Sequence, residues 1–241
     1  MTCRQYYTTV KPGDGWYRIA ARFGVKAVDL AGANGRTIRD MLHPGDELAV
    51  PGRCAEVPPL VDGKPPYVLV TDAAEQTVNQ WPRHAARIRF IFVHDPVAGS
   101  VPGLLGYLRS NDRSVAYDEV QEPGAPVKVH RISRDANWVG HAGFGTAIDA
   151  TTGTVFGLKA GGNLNPVSLG YCLYKHRDDN GPFSEPMLTA GVARVADLAR
   201  DLDIDPQNIL SHAEVDPSRR HDPRGLSMPW FRARVIEALH P

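Results

Sequence analysis

Apolar and polar positions change period along this chain, and the changes mark out its elements. Residues 7–11 (YTTVK) favour β structure and run into Pro12-Gly13-Asp14-Gly15, which is turn chemistry. Ile19, Ala20 and Phe23 then recur at helical spacing, predicting a helix over residues 16–23 with Gly24 just past its end. A second short helix fits residues 27–33, closed by Asn34-Gly35. Leu42-His43-Pro44-Gly45 reads as a turn and residues 47–50 as a closing strand. The predicted order is β-α-α-β in about fifty residues, a size at which surface outweighs core.

Residues 51–66 (PGRCAEVPPLVDGKPP) carry five prolines in sixteen positions. Proline fixes φ and removes hydrogen-bond donors, so an extended, semi-rigid linker is expected here. Beyond it, β-rich apolar runs alternate with helical stripes. Strands are predicted at 87–94, 114–120, 127–132, 167–174 and 209–211, and helices at 102–109, 186–202 and 230–239. Such alternation predicts an α/β fold: a central mixed sheet flanked by helices, preceded by the small β-α-α-β unit. The expected domains are 5–51, a linker at 52–66, and 67–241.

Composition narrows the class of function. Among 241 residues, 27 Lys plus Arg balance 27 Asp plus Glu, for a net charge of +0. That argues against a polybasic nucleic-acid binder and against attachment to anionic lipid by charge. At 42% hydrophobic and 22% charged, the chain can bury an ordinary core. No apolar run approaches the ~18 residues of a membrane span, so no membrane insertion is expected. The start, MTCRQYYTTV, has no apolar h-region, so no secretory signal peptide is expected either. Three cysteines do not make a disulfide scaffold. Cys3 and Cys54 bracket the N-terminal unit, whose terminal strands would pair, leaving open both a disulfide and two free thiols.

Residues 7–14 (YTTVKPGD), 19–25 (IAARFGV), Leu30 with Asn34-Gly35, and 42–48 (LHPGDEL) together resemble a LysM module, a small cell-wall glycan-binding domain. The resemblance implies binding of N-acetylglucosamine-containing polymer in a groove formed by Gly13, Asp14 and Gly15 with Leu42, His43 and Pro44. Gly15 stands where the family usually has threonine. Asp14 also suits the N-cap of the first helix.

Nine histidines remain to be sorted. His84, His130, His176 and His240 have charged or Pro-rich neighbours and are expected to be solvated. His94 ends a strongly apolar strand, where a sheet presents groups to a cleft, although a satisfied edge histidine has the same pattern. His212 follows another apolar strand, and Asp222 lies ten positions later before Pro223. Two histidines and a carboxylate are the donor set of catalytic zinc, which keeps three protein ligands and leaves a position for water. Spacing alone does not separate this from Asp216 and Asp222 acting as turn formers beside proline.

Residues 91–94 (IFVH), 138–143 (WVGHAG), 168–173 (SLGYCL) and His212 with Asp222-Pro223 occur in the order found in type-2 N-acetylmuramoyl-L-alanine amidases, which this part of the chain resembles. The family includes phage lysozyme-type amidases and peptidoglycan-recognition proteins. The resemblance implies Zn²⁺ on His94, His212 and Asp222, and hydrolysis of the amide between N-acetylmuramic acid and L-alanine. It places Tyr117 at the position of a catalytic tyrosine and His141 near the substrate. Were residues 114–120 a regular strand, Val115, Tyr117 and Glu119 would share one face, putting Glu119 in the same cleft.

Two departures stand out. Cys172 occupies a position where many members carry a glutamate base; phage lysozyme-type members lack that glutamate too. Arg220 stands where a lysine is usual, and arginine cannot shuttle a proton, though it can stabilise an oxyanion. Proton transfer would then fall to Tyr117, with Glu119 or His141 assisting. Cys172 itself reads as a buried, inert thiol. Asn163 and Asn165 are turn formers or substrate contacts, and His221 points away from the metal. The sequence thus reads as a monomeric, zinc-dependent, endolysin-like peptidoglycan hydrolase, made in the cytoplasm and acting on the bacterial wall. A peptidoglycan-recognition protein without turnover is the alternative.

Overall fold

The computed structural model describes residues 5–23, 25–54, 65–71, 80–82, 87–96, 98–110, 115–133, 137–143, 145–179 and 181–240. The chain divides into two units, Met1–Pro59 and Leu60–Pro241.

In the first unit, β1 (Gln5–Thr9) pairs antiparallel with β2 (Glu47–Cys54), and α1 (Trp16–Phe23) and α2 (Ala27–Ala33) lie between them in sequence. The β-α-α-β order is that of the sequence reading, with β1 beginning two residues earlier and β2 continuing into the stretch taken as linker. Ile19, Ala20, Leu30, Ala31, Leu48 and Val50 share one small core with Trp16. Its indole N–H donates to the Asp40 carbonyl at 2.8 Å. Asn34 ties the end of α2 to β2: its amide donates to the Leu30 and Ala49 carbonyls and accepts from the Ala49 N–H. Residues 55–64 of the expected linker, Cys3 and the Cys54 side chain lie outside the described residues.

The second unit comprises, in order, β3 (Tyr67–Val70), β4 (Gln80–Pro82), β5 (Phe90–His94), α3 (Val101–Ser110), β6 (Glu119–Glu122), β7 (Val127–Arg131), β8 (Asn137–Val139), β9 (Thr146–Ile148), β10 (Val155–Gly157), β11 (Ser168–Leu173), α4 (Glu185–Asp201), β12 (Ile209–Ser211), α5 (His212–Val215) and α6 (Met228–Leu239). Six strands form a mixed sheet in the order β12-β5-β11-β6-β7-β3. The pairs β12–β5, β5–β11, β11–β6 and β7–β3 are parallel, and β6–β7 is antiparallel. β5 and β11 are buried along their whole length because both faces are covered, which is why they read as continuous apolar runs.

Strand parity decides what each face carries. Ile91, Val93, Leu169, Tyr171 and Leu173 point to one side, where α4 and α6 cover them. Sequence-local signals start these helices: Glu185 and Pro186 sit in the first turn of α4, and the Ser227 hydroxyl accepts from the Trp230 N–H at the start of α6. Phe90 and Phe92, with His94 next in parity, face the opposite side, as does Cys172. That second side, beside α3 and the loops after β8 and β10, is where the cleft forms. Among the described residues, no helix is long and apolar enough to cross a membrane.

Candidate functional site

Three side chains meet at the cleft floor. His94 comes from the last residue of β5. His212 is the first residue of α5, whose capping box pairs the Ser211 hydroxyl with the Glu214 N–H and the Glu214 carboxylate with the Ser211 N–H. Asp222 sits in the turn before α6, and its carbonyl accepts from the Ala213 N–H at 3.1 Å, which binds that turn to α5. The Asp95 carboxylate holds the other end of the turn, accepting from the Arg224 N–H at 2.7 Å and from Arg224 Nε at 3.0 Å.

His94 Nδ1 lies 3.1 Å from Asp222 Oδ2, and His212 Nδ1 lies 3.3 Å from Asp222 Oδ1. The ligand atoms of all three residues fall within 4.8 Å of one another. The two imidazole rings stand at 81° with centroids 4.8 Å apart. His94 is 1% exposed, and burial lowers its pKa against the pull of Asp222. Burial opposes ionisation of Asp222, but hydrogen bonds from His212 and His94 outweigh it and hold the carboxyl well below the usual carboxylate range. Two imidazole nitrogens beside one ionised carboxylate can hold a divalent cation of borderline softness.

Tyr117 lies beside this trio, its ring centroid 5.1 Å from that of His94. Burial, with the adjacent Cys172, Asp222 and Asp95, pushes its hydroxyl pKa far up, so the proton stays on the oxygen. Cys172 is in register with His94 on the neighbouring strand, and burial raises its thiol pKa likewise. It is a free, buried cysteine, in keeping with the inert thiol expected. Arg220 and His221 are exposed and line the cleft, so His221, expected to point elsewhere, belongs to its wall.

Two expectations are corrected. Residues 115–118 are not strand; β6 begins at Glu119. The Asp118 carboxylate accepts from the Gly170 N–H at 2.7 Å and the Ser133 hydroxyl at 2.7 Å, and this local bonding replaces regular pairing. Tyr117 and Glu119 therefore do not share a face. Glu119 points behind the sheet toward α4, where it is 1% exposed and takes Arg194 Nε at 2.8 Å and Nη2 at 2.5 Å, with Arg131 also in reach at 3.3 Å. It has no place in the cleft. His141 lies at the cleft with its side chain buried and bonded to His94 and Ser168. Secondly, His130 is not solvated but buried, its Nε2 2.9 Å from Glu122 Oε2. Of the remaining histidines expected in solvent, His176 and His240 are exposed, and His84 lies outside the described residues.

The Glu119–Arg194 pair carries a stability prediction. Glu119→Gln would leave a buried guanidinium without its counter-charge, a change that costs about 3–5 kcal/mol. The expected result is a lowered urea midpoint. A midpoint equal to wild type would show that Arg194 is satisfied without Glu119.

In the N-terminal unit, Val10 and residues 45–46, which flank the two turns in sequence, exchange backbone hydrogen bonds of 2.9 and 2.8 Å. Gly13 has φ +81°, which an L side chain rarely adopts. His43 and Pro44 are exposed, Gly15 and Leu42 half-buried. Asp14 accepts from the Lys11 N–H at 3.0 Å and from Arg22 at 2.6 Å, so its carboxylate fixes the turn and braces α1.

The residues around the trio to which sequence reasoning gave no role are Asp95 and Asp118, which carry no motif of their own, and Ser168, which was read only as the start of the SLGYCL strand. Asn165, left open as turn former or contact, is buried with its Oδ1 accepting the N–H groups of His141 and Ala142 at 3.1 and 2.7 Å.

Comparison with known proteins now adds to this geometry. The family profile of the LysM domain matches residues 8–51, and that of N-acetylmuramoyl-L-alanine amidase matches residues 84–225, more than half of the chain. Among solved structures, a selenomethionine derivative of AmpD matches at 14% identity, covering 70% of this chain and 94% of that one with a TM-score of 0.51, a likeness in fold. The catalytic domain of XlyA matches at 18% identity over 69% of this chain and 98% of that one, with a TM-score of 0.48. The N-acetylmuramyl-L-alanine amidase AmiD from E. coli, in complex with anhydro-N-acetylmuramic acid-L-Ala-D-gamma-Glu-L-Lys, matches at 17% identity over 63% and 58%, with a TM-score of 0.48. No curated protein matches the chain in sequence.

Proposed function

The chain belongs to the type 2 N-acetylmuramoyl-L-alanine amidase family and carries a LysM domain ahead of the amidase domain, and from that premise we propose that it is a zinc-dependent hydrolase of the amide between N-acetylmuramic acid and L-alanine in bacterial peptidoglycan. The observation that carries this reading is the convergence of His94, His212 and Asp222 on one point of the cleft floor, with each histidine presenting Nδ1. Three protein ligands with two nitrogens and one carboxylate suit catalytic rather than structural zinc, which is closed by four. When bound, zinc polarises the scissile carbonyl and lowers the pKa of the attacking water.

The chain's own groups supply the rest. Tyr117 keeps its proton and lies against His94, so its O–H can donate to the developing oxyanion or to the leaving amine. Arg220, charged at every working pH, adds positive potential at the cleft wall. Cys172 and Glu119 take no part: one is a neutral buried thiol, the other lies behind the sheet. The LysM domain, with residues 13–15 and 42–44 as its glycan contacts, would raise the effective concentration of the amidase on the wall. A protein of this kind would act on the bacterial wall as an endolysin does.

The test is hydrolysis of purified cell wall, read as new L-alanine amino termini rather than reducing sugar ends. Termini are expected to appear, to stop when a chelator is added, and to resume when zinc is restored. Wall binding without new termini under any metal condition would assign the protein to recognition instead.

A further inference from the structure

His141 has a place at the cleft but no part in the chemistry above, and its hydrogen bonds assign it another one. An imidazole that binds a metal through one nitrogen carries a proton on the other, and that N–H needs an acceptor. His94 turns Nδ1 to Asp222, so its acceptor must be sought at Nε2. His94 is buried, and 3.2 Å from its Nε2 lies His141 Nδ1. We propose that His141 is a positioning residue: it accepts the His94 Nε2–H and thereby fixes both the tautomer and the ring plane of a metal ligand. This rests on the reading of His94 as a zinc ligand.

The surroundings of His141 agree with this polarity. A neutral imidazole that accepts at Nδ1 must carry its own proton on Nε2. His141 Nε2 lies 3.1 Å from Ser168 Oγ, and the Ser168 hydroxyl donates onward to the Leu164 carbonyl at 2.8 Å. The chain of donors therefore runs in one sense, from the ligand to a backbone carbonyl that can only accept. Asp118 Oδ2, 4.0 Å from the same Nε2, favours a proton there too.

The ring is also held mechanically. Asn165 Oδ1 takes the N–H groups of His141 and Ala142. The imidazole lies flat on β11 at Gly170, where a Cβ would come within 2.8 Å of His141 Cγ. Any side chain at that position would displace the ring, so the glycine is required by the histidine. With its side chain fully buried, His141 acts through His94 and not on the substrate.

The experiment is a zinc competition titration of the full chain against a chromophoric chelator. His141→Leu removes the acceptor at nearly constant bulk and is expected to weaken zinc by about 10–100-fold, the usual effect of losing such an outer partner. His141→Asn, whose Oδ1 can stand near the lost Nδ1, should recover most of that loss. Equal affinity in His141→Leu and wild type overturns the proposal, as do equal losses in both variants, which would mean packing and not acceptance. Should the leucine variant fail to fold, ring-nitrogen NMR of the zinc-loaded wild type decides: His141 is expected bare at Nδ1 and protonated at Nε2, and the reverse tautomer overturns the role. A wild type that binds no zinc fails the metal reading itself, whereas zinc binding that ignores residue 141 fails this inference alone.

Discussion

Asp222→Ala is expected to abolish amide hydrolysis, with a loss on the order of 10³-fold or more, while the fold and wall binding persist. Metal-assisted charge stabilisation contributes several kcal/mol to the transition state, and each ~1.4 kcal/mol is tenfold in rate. The substitution removes the carboxylate that, among the described residues, faces both His94 Nδ1 and His212 Nδ1. Nothing then neutralises a dication between two imidazoles, so zinc affinity should fall together with rate. The turn itself should hold, because what anchors it is backbone: the Asp222 carbonyl on Ala213 and the Arg224 N–H on Asp95. Asp222→Asn separates charge from shape, since the amide keeps an oxygen in place but no charge, and its rate should lie between the two. Zinc content, new L-alanine termini and wall sedimentation are the readouts. Hydrolysis by Asp222→Ala at the wild-type rate would remove the metal assignment.

The strands that carry the site were legible because burial on both faces writes a continuous apolar run, as in FIFVH of β5 and SLGYCL of β11. Of the three-residue strands, β12 showed through its apolar Ile209-Leu210, whereas β4, β8, β9 and β10 left no such trace, because a period of two cannot be read over so few residues. Residues 115–118 failed for a different reason. Val-Ala-Tyr has strand propensity, but the Asp118 side chain takes two hydrogen bonds that interrupt the ladder, and the parity of every residue before it is lost. That interruption is what turned Tyr117 toward His94 and Glu119 toward Arg194.

The ligand trio was not legible from spacing. His94 ends β5 and His212 opens α5 directly after β12, two strands that are neighbours in the sheet but distant in the chain, and the Asp222 carbonyl is tied to α5 through the Ala213 N–H. Parallel pairing creates such neighbours only through crossovers, which leave no local pattern. The likeness to an enzyme family supplied what the periodicity could not. His130 shows the converse limit: charged neighbours in sequence pointed to solvent, yet alternation turned the ring inward onto Glu122.

Tyr117→Phe is expected to lower kcat by about 10²-fold or more, the range found when a positioned proton donor is lost, with zinc affinity unchanged. The phenylalanine ring keeps the packing against His94 and the apolar cluster around Cys172, and only the O–H is removed. A fall in kcat without a change in zinc binding would therefore belong to the hydroxyl, not to a disturbed site. Arg220→Gln makes the comparison: an exposed guanidinium acts through water-screened potential, so its loss should be smaller and should shrink further as salt is raised. The Tyr117 effect, arising in a buried contact, should be indifferent to salt. A Tyr117→Phe enzyme with wild-type kcat would exclude the phenol from the reaction. Since Arg220 never gives up its proton and Glu119 lies behind the sheet, the leaving amine would then have to be protonated from solvent or by His221, the remaining titratable side chain exposed on the cleft wall among the described residues.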